Sequence, residues 1–193
     1  MGKNSNKNLS KNVQSLCLSA VMAALYVGLD YLAINGSKLF GGSLKISFNA
    51  IPIFIVAVFC GPLWGTATGF VGSFIAQLLT YGFDQTTMLW VIPSAIRGLA
   101  VGLLFIAFKR SLKPSRLIAI SCISSVIVTA CNTVSLIIAD RLKGVYTIAT
   151  VLAGVPARVI TGIATAIIIA LMLPTILDSV KKIIKFDPVK ISN

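Results

Sequence analysis

Residues 44–79 read LKISFNAIPIFIVAVFCGPLWGTATGFVGSFIAQLL, and this stretch decides the fold. After Lys45 it holds no charged side chain. Two apolar segments, about Ile46 to Cys60 and about Leu63 to Thr80, meet at Gly61-Pro62, a dipeptide that interrupts helices. Outward from there the pattern repeats, with apolar segments at about Val13 to Ile34, Met88 to Phe108, Leu117 to Ala139 and Val145 to Leu173. Most of these runs are near the roughly 20 residues needed to cross a hydrocarbon core. The expectation is an all-α integral membrane bundle of six transmembrane helices forming a single domain over residues 1–193. A basic N-terminus covers about 1–12, and a basic, amphipathic tail covers about 176–193. The run from Val13 is longer than the apolar core of a signal peptide and is read as an uncleaved first helix.

Composition agrees. Of 193 residues, 56% are hydrophobic and only 11% charged, less than half the roughly 25% charged of a soluble domain. A soluble chain of this length could not bury so much apolar surface in one core. The 17 Lys and Arg against 5 acidic residues would suggest nucleic acid in a soluble protein; here membrane topology accounts for them, and no nucleic-acid partner is expected. All five acids are Asp, and there is no His. That removes a histidine metal site, a Ser-His triad and an H-E-x-x-H protease. The sequence also lacks a P-loop. Cys17, Cys60, Cys122 and Cys131 sit in apolar segments without metal-ligand spacing and read as buried thiols. No metal and no cofactor is expected.

The cations report orientation. The N-terminus (Lys3, Lys7, Lys11), the fourth connection (Lys109, Arg110, Lys113, Arg116) and the tail (Lys181, Lys182, Lys185, Lys190) hold eleven of them. The three opposite loops hold Lys38, Lys45, Arg141 and Lys143. Cytoplasmic loops carry the excess of Lys and Arg, so both termini are expected in the cytoplasm.

Polar groups within the spans point to a site. Arg97 lies deep in helix 4, where an arginine costs about 2.5–3.5 kcal/mol to insert. It must face a partner or a watery cavity. Arg158 lies at similar depth in helix 6, Asn132 in the outer half of helix 5, and Asp30 about one turn from the outer end of helix 1. Trp90, Ser94 and Arg97 share a helix face. Ser121, Ser125, Thr129 and Asn132 form a polar stripe on helix 5, and Arg158, Thr161 and Thr165 form another on helix 6. Such walls can enclose an outward-facing cavity for a flat polar ligand. Arginine would fork onto a carboxylate, asparagine would read a ring edge and tryptophan would stack. Two plainer readings stand beside this one: Arg97 or Arg158 pairs with Asp30, and Asn132 is interhelical glue. Small residues mark close helix contacts at Gly61-x-x-x-Gly65-x-x-x-Gly69, then Gly72, and at Gly98-x-x-x-Gly102. Ala20-x-x-x-Ala24 in helix 1 fits internal packing or a contact with another subunit equally well.

The basic N-terminus, A-x-x-x-A in helix 1, a Gly-rich outer loop, the segment from Leu44 to Leu79 and IPSAIRGLAVGLLF together resemble the substrate-binding S component of an energy-coupling-factor (ECF) vitamin transporter. KISF…IP…GPLWG…G with SAIRGL is similar to the folate-specific type. The resemblance implies a six-helix protein of the bacterial cytoplasmic membrane that binds a vitamin-like small molecule from outside. It also implies a transmembrane coupling protein and two cytoplasmic ATPases as partners. By position, Ala20 and Ala24 would meet the coupling protein, and the loop from about Asn35 to Lys45 would be a lid. The substrate-binding candidates are then Arg97, Trp90, Ser94, Asn132, Arg158, Asp30, Lys45 and Asn49. Folate or a related pterin is the favoured ligand, with riboflavin, a queuosine precursor or another base as alternatives. Asp30 stands where folate-type members tend to carry arginine. A membrane enzyme for lipid head groups would need clustered acids for Mg²⁺, which are missing here, and an assembly protein without ligand leaves the two intramembrane arginines without a role.

Overall fold

A computed structural model describes residues 2–39 and 48–183. Lys45, most of the expected lid loop and residues 184–193 lie outside the described residues. The described residues form six helices: α1 Gly2–Leu39, α2 Ala50–Phe59, α3 Pro62–Tyr81, α4 Thr87–Ala107, α5 Pro114–Leu142 and α6 Ile148–Ile183.

Among the described residues, four segments are long and apolar enough to cross a membrane: Lys11–Gly36, Thr87–Ala107, Pro114–Leu142 and Gly162–Val180. Large apolar side chains such as Leu79, Val126 and Leu171 point outward, as they must where the solvent is lipid. α3 has the length of a span but is rich in Gly and Thr. α2 is the shortest of the six helices. Its ten residues make a rod of about 15 Å, half of the roughly 30 Å hydrocarbon core. The helix begins at Ala50, with Phe48 and Asn49 before it outside any helix.

All ten residues of α2 are buried. The helix sits inside an arc in which α1 packs on α3, α3 on α4, α4 on α5 and α5 on α6. Phe54, Val56 and Phe59 of α2 join Val101 and Phe105 of α4, Leu117 and Ile120 of α5, and Ile169, Leu173 and Leu177 of α6 in one apolar cluster. These come from the half of the bundle that holds the α4–α5 loop. That half is solid; the other half, which α2 does not reach, is where a cavity has room.

Residues 176–183, expected as part of a separate tail, continue α6. The reason is their spacing: Leu177 is fully buried beside Leu173, and Ile176 and Val180 pack on the same cluster, so the apolar face carries the helix through Pro174.

Small residues bring α3 onto its neighbours. A Cβ on Gly65 would lie 2.6 Å from the Ala57 side chain of α2. One on Gly98 would collide with the backbone of Gly65, one on Gly69 with the Ser94 carbonyl, and one on Gly102 with Pro62. The Gly-x-x-x-Gly runs of helices 3 and 4 are therefore internal packing motifs. The pairing 62 with 102, 65 with 98 and 69 with 94 makes α3 and α4 antiparallel. Gly61, at φ +99°, adopts the backbone that glycine tolerates and turns α2 into α3.

Candidate functional site

A cavity of about 780 Å³ opens in the half of the bundle above α2. This lies within the roughly 300–1,000 Å³ of small-molecule sites. Arg97, Trp90, Ser94, Asn132, Asp30 and Asn49 all line it, so the structure brings together six of the eight substrate-binding candidates. Lys45 lies outside the described residues. Arg158 is on α6, but its side chain, like that of Thr161, is not among those described. Thr165 lines the cavity, as do Ser125 and Thr129 of α5. Ser121 does not; it is buried deeper, and its hydroxyl has no partner among the described residues.

The walls are set by α1 and α4. On α1, Ser15, Ser19, Ala23, Tyr26 and Asp30 are buried, one stripe of helical spacing turned into the bundle. The Tyr26 ring sits against Gly72, where a Cβ would come within 2.9 Å of the ring, and the Tyr26 hydroxyl is 2.9 Å from Ser94 Oγ. This bond joins α1 to α4. The two helices run in opposite directions, so Asp30 is one turn from the bond toward the α3–α4 loop and Arg97 about one turn toward the α4–α5 loop. The two charges are offset by roughly 10 Å along the helices at 1.5 Å per residue.

Asp30 does not pair with Arg97. Its Oδ1 accepts a 2.8 Å bond from Asn49 Nδ2, which takes the Asn49 side chain away from capping α2. Among the described residues no hydrogen bond or ion pair engages the Arg97 guanidinium. It is half-buried, and the surface it retains faces the cavity. Serine hydroxyls that could have competed for ligand are partly committed: Ser73 donates to the Gly69 carbonyl at 2.6 Å.

The mouth of the cavity carries charged groups outside the predicted set. Lys143 Nζ, at the end of α5, lies 3.0 Å from Asp84 Oδ2 in the α3–α4 loop, and both side chains line the cavity. Thr86 Oγ1 donates to the same carboxylate at 2.9 Å and the Gln85 N–H at 2.7 Å. Lys143, then Thr86 and the Gln85 amide, hold the Asp84 carboxyl down from 3.8 to about 2. Tyr26, Gln77 and Tyr81 are further lining residues outside the predicted set. Tyr26 had a signal: it lies one turn before Asp30 on the same face.

On α1, Ala20 and Ala24 are exposed, and nothing lies within 4 Å of where a Cβ on Gly28 would be. The Ala-x-x-x-Ala motif therefore faces out of the bundle and takes no part in its internal packing.

Two relatives share about half of this chain. A "UPF0397 protein" of Lactobacillus gasseri is 30% identical over 98 residues, covering 51% of this chain and 51% of its own. A "UPF0397 protein" of Lactobacillus johnsonii is 31% identical over 100 residues, covering 52% and 51%. The chain spans about half the length of the curated relatives it matches. No solved structure matches significantly. A family model described as "ECF-type riboflavin transporter, S component" matches residues 10–179. It supports the S-component resemblance but not the folate-specific form of it. The cavity is in keeping with that correction, since Asp30 lines it and would oppose the carboxylates of a folate tail. With nearly its whole described length matched and its helices built for a bilayer, this multi-pass protein of the cytoplasmic membrane belongs to the family of ECF-type riboflavin transporter S components.

Proposed function

We propose that this chain is a substrate-capture subunit that binds riboflavin or a closely similar planar heterocycle from outside the cell. The observation that carries the reading is Arg97: a guanidinium deep in a membrane bundle, facing a ligand-sized cavity, with no hydrogen-bond partner among the described residues. Charge-assisted bonds are the strong ones in such a site, and a ring bearing carbonyl acceptors supplies the missing partner. Trp90 offers a face for stacking. Asp30 and Asn49, about 10 Å outward at 1.5 Å per residue, suit the hydroxyl or N–H donors at the ligand's other end, with Asn132 and Ser94 reading the ring between. Arg158 and Lys45 remain candidates for the same ligand.

The sequence lacks a P-loop, and the energy for uptake comes from partners. In this proposal they are a transmembrane coupling protein and two cytoplasmic ATPases, as the family resemblance implies. The apolar half around α2 closes the cavity's floor, so release to the cytoplasm requires the chain to move against such a partner. The exposed Ala20, Ala24 and Gly28 provide a flat stripe on which another helix can pack closely. The cation distribution favours cytoplasmic termini, which turns the cavity mouth outward.

Mass spectrometry of small molecules extracted from the purified chain tests the ligand; a flavin is expected, and a folate or deazapurine base would replace it with the rival reading. Cysteines introduced at Lys113 and Asp84 test the orientation. Only the one at Asp84 should label from outside intact cells, and labelling of both would contradict it.

A further inference from the structure

Pro93 lies inside α4 and has no N–H to give to the carbonyl four residues earlier. That carbonyl belongs to Leu89. In a membrane bundle it cannot turn to water, and an unsatisfied carbonyl there is costly. It is satisfied from another helix: Ser135 Oγ of α5 donates to Leu89 O at 2.7 Å. Ser135 is buried, 6% exposed, and is not among the residues lining the cavity.

The location gives this bond a role beyond holding the bundle together. On α4, Thr87 and Trp90 line the cavity on one side of the break at Pro93, and Ser94 and Arg97 line it on the other. On α5, Asn132 lines the opposite wall one turn from Ser135. We infer that Ser135 is a positioning residue for ligand binding: it closes the gap that Pro93 leaves in α4, ties the outer turns of α4 to α5, and so sets Trp90 against Asn132 across the cavity. The inference rests on the proposal that this cavity is the binding site, although the bond itself does not depend on that proposal.

The pairing of Ser135 with Pro93 makes the claim testable by epistasis. In P93A the residue at 93 regains its N–H, Leu89 O recovers a donor within its own helix, and the Ser135 hydroxyl becomes redundant. The experiment uses the full chain with Trp64→Phe, which leaves Trp90 as the sole tryptophan. Ligand-free Trp90 emission and riboflavin affinity are measured for S135A, S135T, P93A and P93A/S135A. S135A should shift the emission and weaken riboflavin by about fivefold or more, the equivalent of one lost buried bond of about 1 kcal/mol. S135T keeps the donor and should keep both properties. In the P93A background, S135A should change neither. The inference is overturned if S135A lowers only the melting temperature while emission and affinity stay unchanged. It is equally overturned if S135A costs as much with Ala at 93 as with Pro. If the Trp64→Phe chain itself does not bind riboflavin, the proposed ligand is wrong, and the emission measurements alone decide the positioning claim.

Discussion

Tyr26 Oη and Ser94 Oγ, 68 positions apart in sequence, lie 2.9 Å apart and stitch α1 to α4 at the wall of the cavity. The bond stands midway between Asp30 and Arg97, two of the charged groups that line the cavity, and fixes their offset. Gly72 makes it possible by leaving space for the Tyr26 ring.

Removing either partner should cost stability, and removing both should cost little more. Tyr26→Phe and Ser94→Ala are each expected to lower unfolding free energy by about 0.5–1.5 kcal/mol. In the double variant the losses should not add. Thermal melts of the purified chain in detergent give the three values; strict additivity would mean the two hydroxyls do not interact.

The mouth pair should respond to pH. Because Lys143, Thr86 and the Gln85 amide depress the Asp84 carboxyl to about 2, its contribution is present above the ordinary carboxylate range. It is lost as pH falls from about 4 through 2. The melting-temperature difference between the native chain and Asp84→Asn should therefore be constant near neutral pH and vanish toward pH 2. Both side chains are about half exposed, so added salt should shrink the difference as well. A difference that persists unchanged at pH 2 would remove the carboxylate from the explanation.

Substitutions on the outward stripe of α1 should separate binding from assembly. Ala20→Leu and Ala24→Leu place bulk on an exposed face, where the isolated chain has nothing to collide with. Ligand binding and melting temperature should hold, while co-purification with the coupling protein and uptake should fail. Intact assembly would place the coupling face elsewhere.

Much of this was legible in the sequence because the bilayer makes polarity expensive. Arg97, Asp30 and Asn132 stood out against their apolar spans for that reason, and all three line the cavity. The glycine spacings in α3 and α4 were legible because only close backbone contact rewards them in lipid. What escaped was set by neighbours distant in sequence. Ser135 reads as one more hydroxyl until Pro93 of another helix leaves it a carbonyl to satisfy. Lys143 reads as a loop charge, and only the fold brings Asp84 to it. That helix 2 is short was legible in its apolar run, which ends at Gly61-Pro62 and carries Asn49 and Pro52 near its start; the helix itself starts at Ala50. The type of vitamin was not legible because motifs such as GPLWG and SAIRG report helix packing and a deep cation, features that different ligands can share.

The central claim, that Arg97 holds the ligand in an outward cavity, is tested most directly by titrating riboflavin against the purified chain and its Arg97→Ala variant. Loss of a charge-assisted bond of about 1.5–3 kcal/mol should weaken binding roughly 10- to 150-fold. Arg97→Lys should recover only part of that loss, because an ammonium lacks the planar fork. Equal affinity in the native chain and in Arg97→Ala, with both folded by gel filtration, would contradict the account.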